Sequence, residues 1–242
     1  MGGNLLITAA LWVEVLIAVA TMGYGSYTDV RRRRVNSFLF LPLVLAGFAG
    51  DVISGLPEAF IAFGVLIFAM AYLRTTGPFY AVAAASFLAY ALYFTIYVDF
   101  YFGFTMIISS VVYALGYGER FFGIGDIKAI LSAIYAFPYL VAFHGYSFSI
   151  RIGTIPGALV MIIVISLSSV VWASYGIYLS VRSGSHNGMP FSLAYDEEAI
   201  SRKPAAFQVR ERDGTRYMLY RIPFMLPIFV GFIVYLMVGS LP

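Results

Sequence analysis

Two aspartates carry most of the chemical potential of this chain. Asp29 closes the first long apolar stretch, in SYTDVRRRRV at 26–35, and Asp126 opens a later one, in FFGIGDIK at 121–128. Ionisable groups at membrane depth are expensive and usually functional. Two carboxylates within a few ångströms in a partly dry cleft cannot both ionise: one keeps its proton and the other is a base. Such a pair can activate a water with its ionised member and protonate a peptide carbonyl with the other. Its titration belongs to the pair and not to either residue. Each aspartate alone has a plainer reading: Asp29 as a helix end paired with the arginines after it, Asp126 as an N-cap.

The neighbouring residues fit the same chemistry. Gly123 and Gly125 leave backbone room for an extended peptide to lie beside Asp126. Arg31 would favour the ionised form of Asp29. Lys128, two helical positions past Asp126, points away from it by about 200° and is expected to reach headgroups or carbonyls. Glu14 falls in the middle of the first apolar stretch, as a structural carboxyl or a proton relay.

Elements that position these residues follow from composition. The 242 residues are 61% hydrophobic and only 11% charged, with a mean hydropathy of +0.88. Apolar stretches at about 5–28, 38–56, 59–73, 79–97, 100–117, 127–143, 153–181 and 222–240 approach or exceed the roughly 20 residues that cross a bilayer. The expected fold is an all-α polytopic membrane protein of about eight transmembrane helices, with six as the other count if 79–117 divides differently. The first stretch lacks a basic leader and a small-residue cleavage site, so it reads as a span and not a signal peptide. With the N-terminus outside, eight spans put every Lys and Arg except Arg151 on the cytoplasmic face, as the positive-inside rule requires. Asp51, Glu58 and Asp99 then face outward, near the aromatic run at 93–104. Asp29 and Asp126 reach the same cytoplasmic face because an even number of spans separates them.

The chain divides into a helical core at 1–181 carrying both aspartates, a basic cytoplasmic loop at 182–221, and a final span at 222–242. Within the loop, alternating arms around Asp213 and Gly214 predict a small β-hairpin. There is no Cys, and the two histidines, His144 and His186, are far apart, so no metal site and no cofactor is expected. Nothing in the pattern calls for nucleic acid.

With both motifs in hand, the sequence resembles the GxGD aspartic peptidases, and within them the archaeal type IV prepilin and preflagellin peptidases, also called class III signal peptidases. Their catalytic pair, an aspartate before a basic run and the aspartate of GxGD, matches Asp29 and Asp126, and a lysine two residues later matches Lys128. Where the family often has I-P-N or I-P-D after the basic run, this chain has Val35, Asn36 and Ser37. Four spans are expected between the aspartates, against two in the family. The absence of Cys separates the chain from bacterial members with a zinc region, and IPFMLPI at 222–228 from presenilin-like members with P-A-L.

The resemblance implies an aspartic endopeptidase in a prokaryotic, archaeal-type plasma membrane. It would cut short basic leaders from prepilins or preflagellins at the cytoplasmic face. Prepilin or preflagellin substrates and membrane lipids are the expected partners, with oligomeric state left open. Glu119 or the acidic run 196–198 would receive the basic leader, and arginines 31–34 would hold anionic headgroups. The alternative from another class is a small ion- or proton-coupled transporter using intramembrane carboxylates.

Overall fold

A computed structural model describes residues 2–32, 35–73, 77–116, 124–144, 147–151, 156–182, 192–202, 204, 207–212, 214–220 and 224–239. The helices are α1 (Gly2–Arg32), α2 (Leu41–Ile53), α3 (Glu58–Tyr72), α4 (Pro78–Tyr97), α5 (Phe100–Leu115), α6 (Ile124–Ala136), α7 (Gly157–Arg182), α8 (Glu197–Arg202) and α9 (Met225–Gly239). A short 3₁₀ turn, Ser37–Phe40, leads into α2.

By length and composition, three helices can cross a membrane: Ile7–Arg32, Pro78–Tyr97 and Gly157–Arg182. That is fewer than the eight expected. Apolar runs that look continuous in sequence are cut short by turns. α2 has 13 residues, a rise of only about 20 Å. The stretch at 127–143 is helical only to Ala136. Pro138 follows, and a proline cannot donate to a helix and disfavours helical geometry before it. The chain continues as β1 (Leu140–His144), paired antiparallel with β2 (Ser147–Arg151). This hairpin was not foreseen.

The hairpin that was foreseen does form. β4 (Phe207–Arg212) and β5 (Thr215–Tyr220) pair in register, with Arg212 opposite Thr215. Gly214 supplies a φ of 75° in the turn, which a two-residue hairpin loop demands. β3 (Ser192–Ala194) adds to the free side of β5, giving the order β3-β5-β4.

The bundle is organised about α6. Positions 129–136 are all buried, and α6 touches α1, α2, α3, α5, α7 and α9. A helix apolar on every side belongs in a core. Small residues allow the closest approaches: a Cβ on Gly47 of α2 would lie 2.8 Å from Ala136 Cα, and one on Gly231 of α9 would lie 2.8 Å from Ile165 Cα of α7. The periphery is the reverse of a soluble protein's. Leu16, Leu66, Val82 and Leu167 are about 60% exposed, at 62%, 58%, 62% and 63%. Large apolar side chains on an outer surface mark a membrane-associated chain.

Contacts between helix ends give the direction of each helix. At one end, Gly25 of α1 faces Met225 of α9 and Leu39 of the 3₁₀ turn. Phe38 meets Tyr72 of α3 with ring centroids 5.9 Å apart. The Tyr80 hydroxyl of α4 donates to the Tyr113 carbonyl of α5, and Gly116 lies beside Ile127 of α6. At the opposite end, Glu14 of α1 lies over Gly50 of α2, and Gly157 of α7 packs on Tyr139. There the Tyr235 hydroxyl of α9 donates to the Tyr139 carbonyl. Helices α1 to α7 and α9 therefore alternate in direction.

Candidate active site

Asp29 lies in the last turn of α1, three residues before its end at Arg32, and is half-buried. Its Oδ2 accepts a hydrogen bond from the Met225 backbone N–H at 2.9 Å. One helical turn earlier, the buried Ser26 hydroxyl donates to the Met225 carbonyl at 2.9 Å. Ser26 and Asp29, on one face of α1, thus clamp the first residue of α9. The carboxylate meets orphan N–H groups and the positive end of a helix dipole, both of which favour its charge. Neither residue types nor spacing announced this contact across the chain.

The clamp makes a prediction about stability. Asn can accept the same hydrogen bond and Ala cannot, so Asp29→Ala should lower unfolding free energy by about 1 kcal/mol, as loss of a helix cap does. Asp29→Asn should stay within a few tenths of wild type. Denaturant or thermal unfolding in detergent, followed by far-UV circular dichroism, measures both.

Asp126 sits in the first turn of α6, half-exposed. It is inside the helix and not at the cap position, where a carboxylate still complements the helix N-terminus. Gly125 beside it has open space where a Cβ would be: among the described residues no atom outside its own helix backbone and chain neighbours lies within 4 Å. Packing therefore does not require glycine there. Gly125→Ala should leave the melting temperature unchanged while reducing turnover of an extended peptide that has to approach the backbone. Equal turnover by the variant would remove Gly125 from the site. Gly123 and Glu119 lie outside the described residues, as do Arg33 and Arg34.

Lys128 departs from expectation. It is only 3% exposed, and its Nζ lies 3.9 Å from the centroid of the Tyr72 ring. The lysine does not lie out among headgroups; it is folded inward onto an aromatic face, a cation–π contact strengthened by exclusion of water. The stem runs along apolar surface because α6 is enclosed on all sides. Arg31 remains on the surface, its Nη1 donating to the Tyr27 hydroxyl at 2.6 Å and its guanidinium 5.9 Å from that ring's centroid.

The acidic run 196–198 is engaged locally. Asp196 Oδ1 accepts from the Glu198 and Ala199 N–H groups at 3.0 and 3.1 Å, capping α8. Glu198 pairs with Arg202 in the exposed i, i+4 geometry, which contributes little.

Asp29 and Asp126 occupy the same end of the bundle, on elements that touch: α1 contacts α6, and the 3₁₀ turn contacts both. An apolar groove of about 410 Å³ lies between α5, α6 and α7. Its wall includes Ile108, Val112 and Leu115 of α5, Ile130 of α6, Ile162 of α7, and Phe224. Ile130 lies one turn beyond Asp126 on the same face of α6. Phe224 immediately precedes Met225, the residue that Asp29 holds. The groove is thus bordered by α6, which carries Asp126, and by the residue before the one that Asp29 holds; no residue of α1 lines it.

A second carboxylate pair was not read from sequence. Asp51, expected on the exterior, is 0% exposed, and Glu14 is 2% exposed; the two interact electrostatically. Asp51 is inside because small residues let α2 sink between α1 and α6. A carboxylate two residues from a helix end carries no sequence mark of that depth. Among the described residues no group of three or more His, Cys, Asp or Glu is placed to hold a metal.

No family model, curated protein or solved structure matches this chain.

Proposed function

We propose that the chain is a membrane-embedded aspartic endopeptidase that removes short basic leaders from prepilin- or preflagellin-type substrates. The observation that carries this reading is the placement of both aspartates at one end of the bundle on touching elements, with an apolar groove bordered by α6 and Phe224. An apolar substrate helix seated in the groove would present its extended leader to the carboxylates. In this reading the eight alternating helices all belong to the membrane domain, the shorter ones within a locally thin or tilted arrangement. The aspartate end is cytoplasmic in an archaeal-type plasma membrane.

The reaction needs no cofactor. The ionised aspartate takes a proton from water as the water oxygen attacks the scissile carbonyl, and the protonated partner gives its proton to the carbonyl oxygen. Collapse of the tetrahedral diol breaks the C–N bond as the departing amine takes the proton the first aspartate gained and the other aspartate takes one back from a diol hydroxyl. Substrate binding is the step expected to draw the carboxylates onto one water. Incubating membranes that contain the protein with a prepilin-like substrate, and following the size shift, tests the reading; no shift sinks it. The transporter reading draws on Glu14 and Asp51 instead and predicts ion flux without cleavage.

A further inference from the structure

Six buried side-chain oxygens among the described residues have no hydrogen-bond partner: both oxygens of Glu14, both of Asp51, and the hydroxyls of Tyr135 and Tyr139. They belong to one place. Tyr139 interacts electrostatically with Glu14 and with Asp51, and Tyr135 with Asp51. Both tyrosines are 0% exposed. Ser109 and Ser54 stand near their hydroxyls without closing a hydrogen bond. The Ser109 hydroxyl already donates to the Thr105 carbonyl at 2.9 Å, leaving its oxygen lone pairs. The Tyr235 hydroxyl is likewise committed, to the Tyr139 carbonyl. Buried polar atoms are nearly always paired, so six orphans gathered from α1, α2, α6 and the segment after it need an explanation.

We propose that Glu14, Asp51, Tyr135 and Tyr139 form a binding site for a small alkali cation, at the end of the bundle opposite the Asp29 and Asp126 segments. The ligand chemistry is all oxygen, which suits a hard cation. Two carboxylates buried together hold protons or a compensating positive charge, and neither forms an ion pair with a Lys, Arg or His among the described residues. Oxygens surrounding an ion at about 2.3–2.6 Å stand further apart than hydrogen-bonded oxygens do. Neighbouring yet unbonded oxygens are therefore what such a site presents. One alkali ion balances one negative charge, so the second carboxyl keeps its proton.

Access is available beside it. A cleft of about 290 Å³ between α1 and α2 is lined by Ala9, Ala10, Ala46, Ala49 and Gly50, with Glu14 in its wall. A Cβ on Gly50 would overlap the Glu14 carboxylate, which would have to swing aside. Arg151 ends β2, in register with Leu140 next to Tyr139; its side chain lies outside what is described, and its substitution is therefore included in the test.

The test uses the full chain in detergent at pH 8, with sodium chloride replaced stepwise by choline chloride at constant ionic strength. Sodium is expected to raise the melting temperature by about 2–4 °C. Glu14→Gln and Tyr139→Phe should each abolish that response. If Glu14→Gln does not fold, Tyr139→Phe and the wild-type titration still decide the matter. Asp126→Asn should keep the full sodium response, so the site stands or falls separately from cleavage. Equal melting temperatures in sodium and choline overturn the proposal. A sodium-independent wild type destabilised by Arg151→Gln overturns it in favour of an internal ion pair. A melting temperature that follows pH but not sodium overturns it in favour of protons alone.

Discussion

Membranes carrying Asp126→Asn are expected to leave a prepilin-like substrate uncut, with the rate down by about 10²–10⁴-fold, the usual contribution of a positioned acid or base. The amide keeps the size of the carboxylate but can neither take a proton from water nor return one. Asp126 is half-exposed in the first turn of α6, and the isosteric amide keeps its packing and its capacity to accept a hydrogen bond while giving up a helix-dipole term of about 0.3–1 kcal/mol. Fold and activity should therefore separate. Asp29→Asn should match it in activity while retaining the hydrogen bond from Met225. If the two carboxylates act as a unit, the double variant should be no worse than either single one. The peptidase reading fails if either amide variant cleaves at the wild-type rate. A melting temperature lowered in step with activity would instead assign Asp29 to the α1–α9 clamp alone.

Gly47→Val is expected to have the largest effect on stability. A Cβ on Gly47 would stand 2.8 Å from Ala136 Cα, 3.0 Å from the Tyr135 carbonyl oxygen and 3.1 Å from Ala136 N. Every one of these atoms is backbone, so no side chain can swing aside and α2 must move away from α6. Overpacking of this kind costs about 1–3 kcal/mol, occasionally more. The branched side chain brings no compensating helix propensity. Since α6 is the central helix, its displacement shifts Tyr135 and the Asp126 end together. The variant should unfold at markedly lower denaturant concentration and lose activity with it. Gly125→Ala provides the contrast, since open space surrounds that position. A Gly47→Val protein as stable as wild type would mean that α2 and α6 are not in contact in the membrane.

Much of this molecule was legible because its physics is local. Uninterrupted apolar runs announced helices, and a Gly at the turn between alternating arms announced the β4–β5 hairpin, since only that geometry lets the arms pair. The parity of the helices brought Asp29 and Asp126 to one end before any contact was known. Helix lengths were less legible: hydropathy does not distinguish α6 from the β1–β2 hairpin after it, because both are apolar, and Pro138 alone marks the break. The inward course of Lys128 was not legible, because its position on a helical wheel says nothing of which neighbours surround that helix. In α6 every side faces another helix, so the ammonium has an aromatic ring and not water above it.

What the sequence by itself determined was the kind of chain this is and which charged residues stand at the thresholds of its apolar segments. Composition and periodicity suffice for that, because transfer from water to an apolar medium is a property of each segment alone. Only the tertiary structure decided that Asp29 holds Met225, that an apolar groove reaches α6 and Phe224, and that Asp51 joins Glu14 inside the bundle. Those relations come from how closely helices approach, at Gly47 and Gly50 above all. A missing side chain sets that distance only when a particular neighbour fills the space.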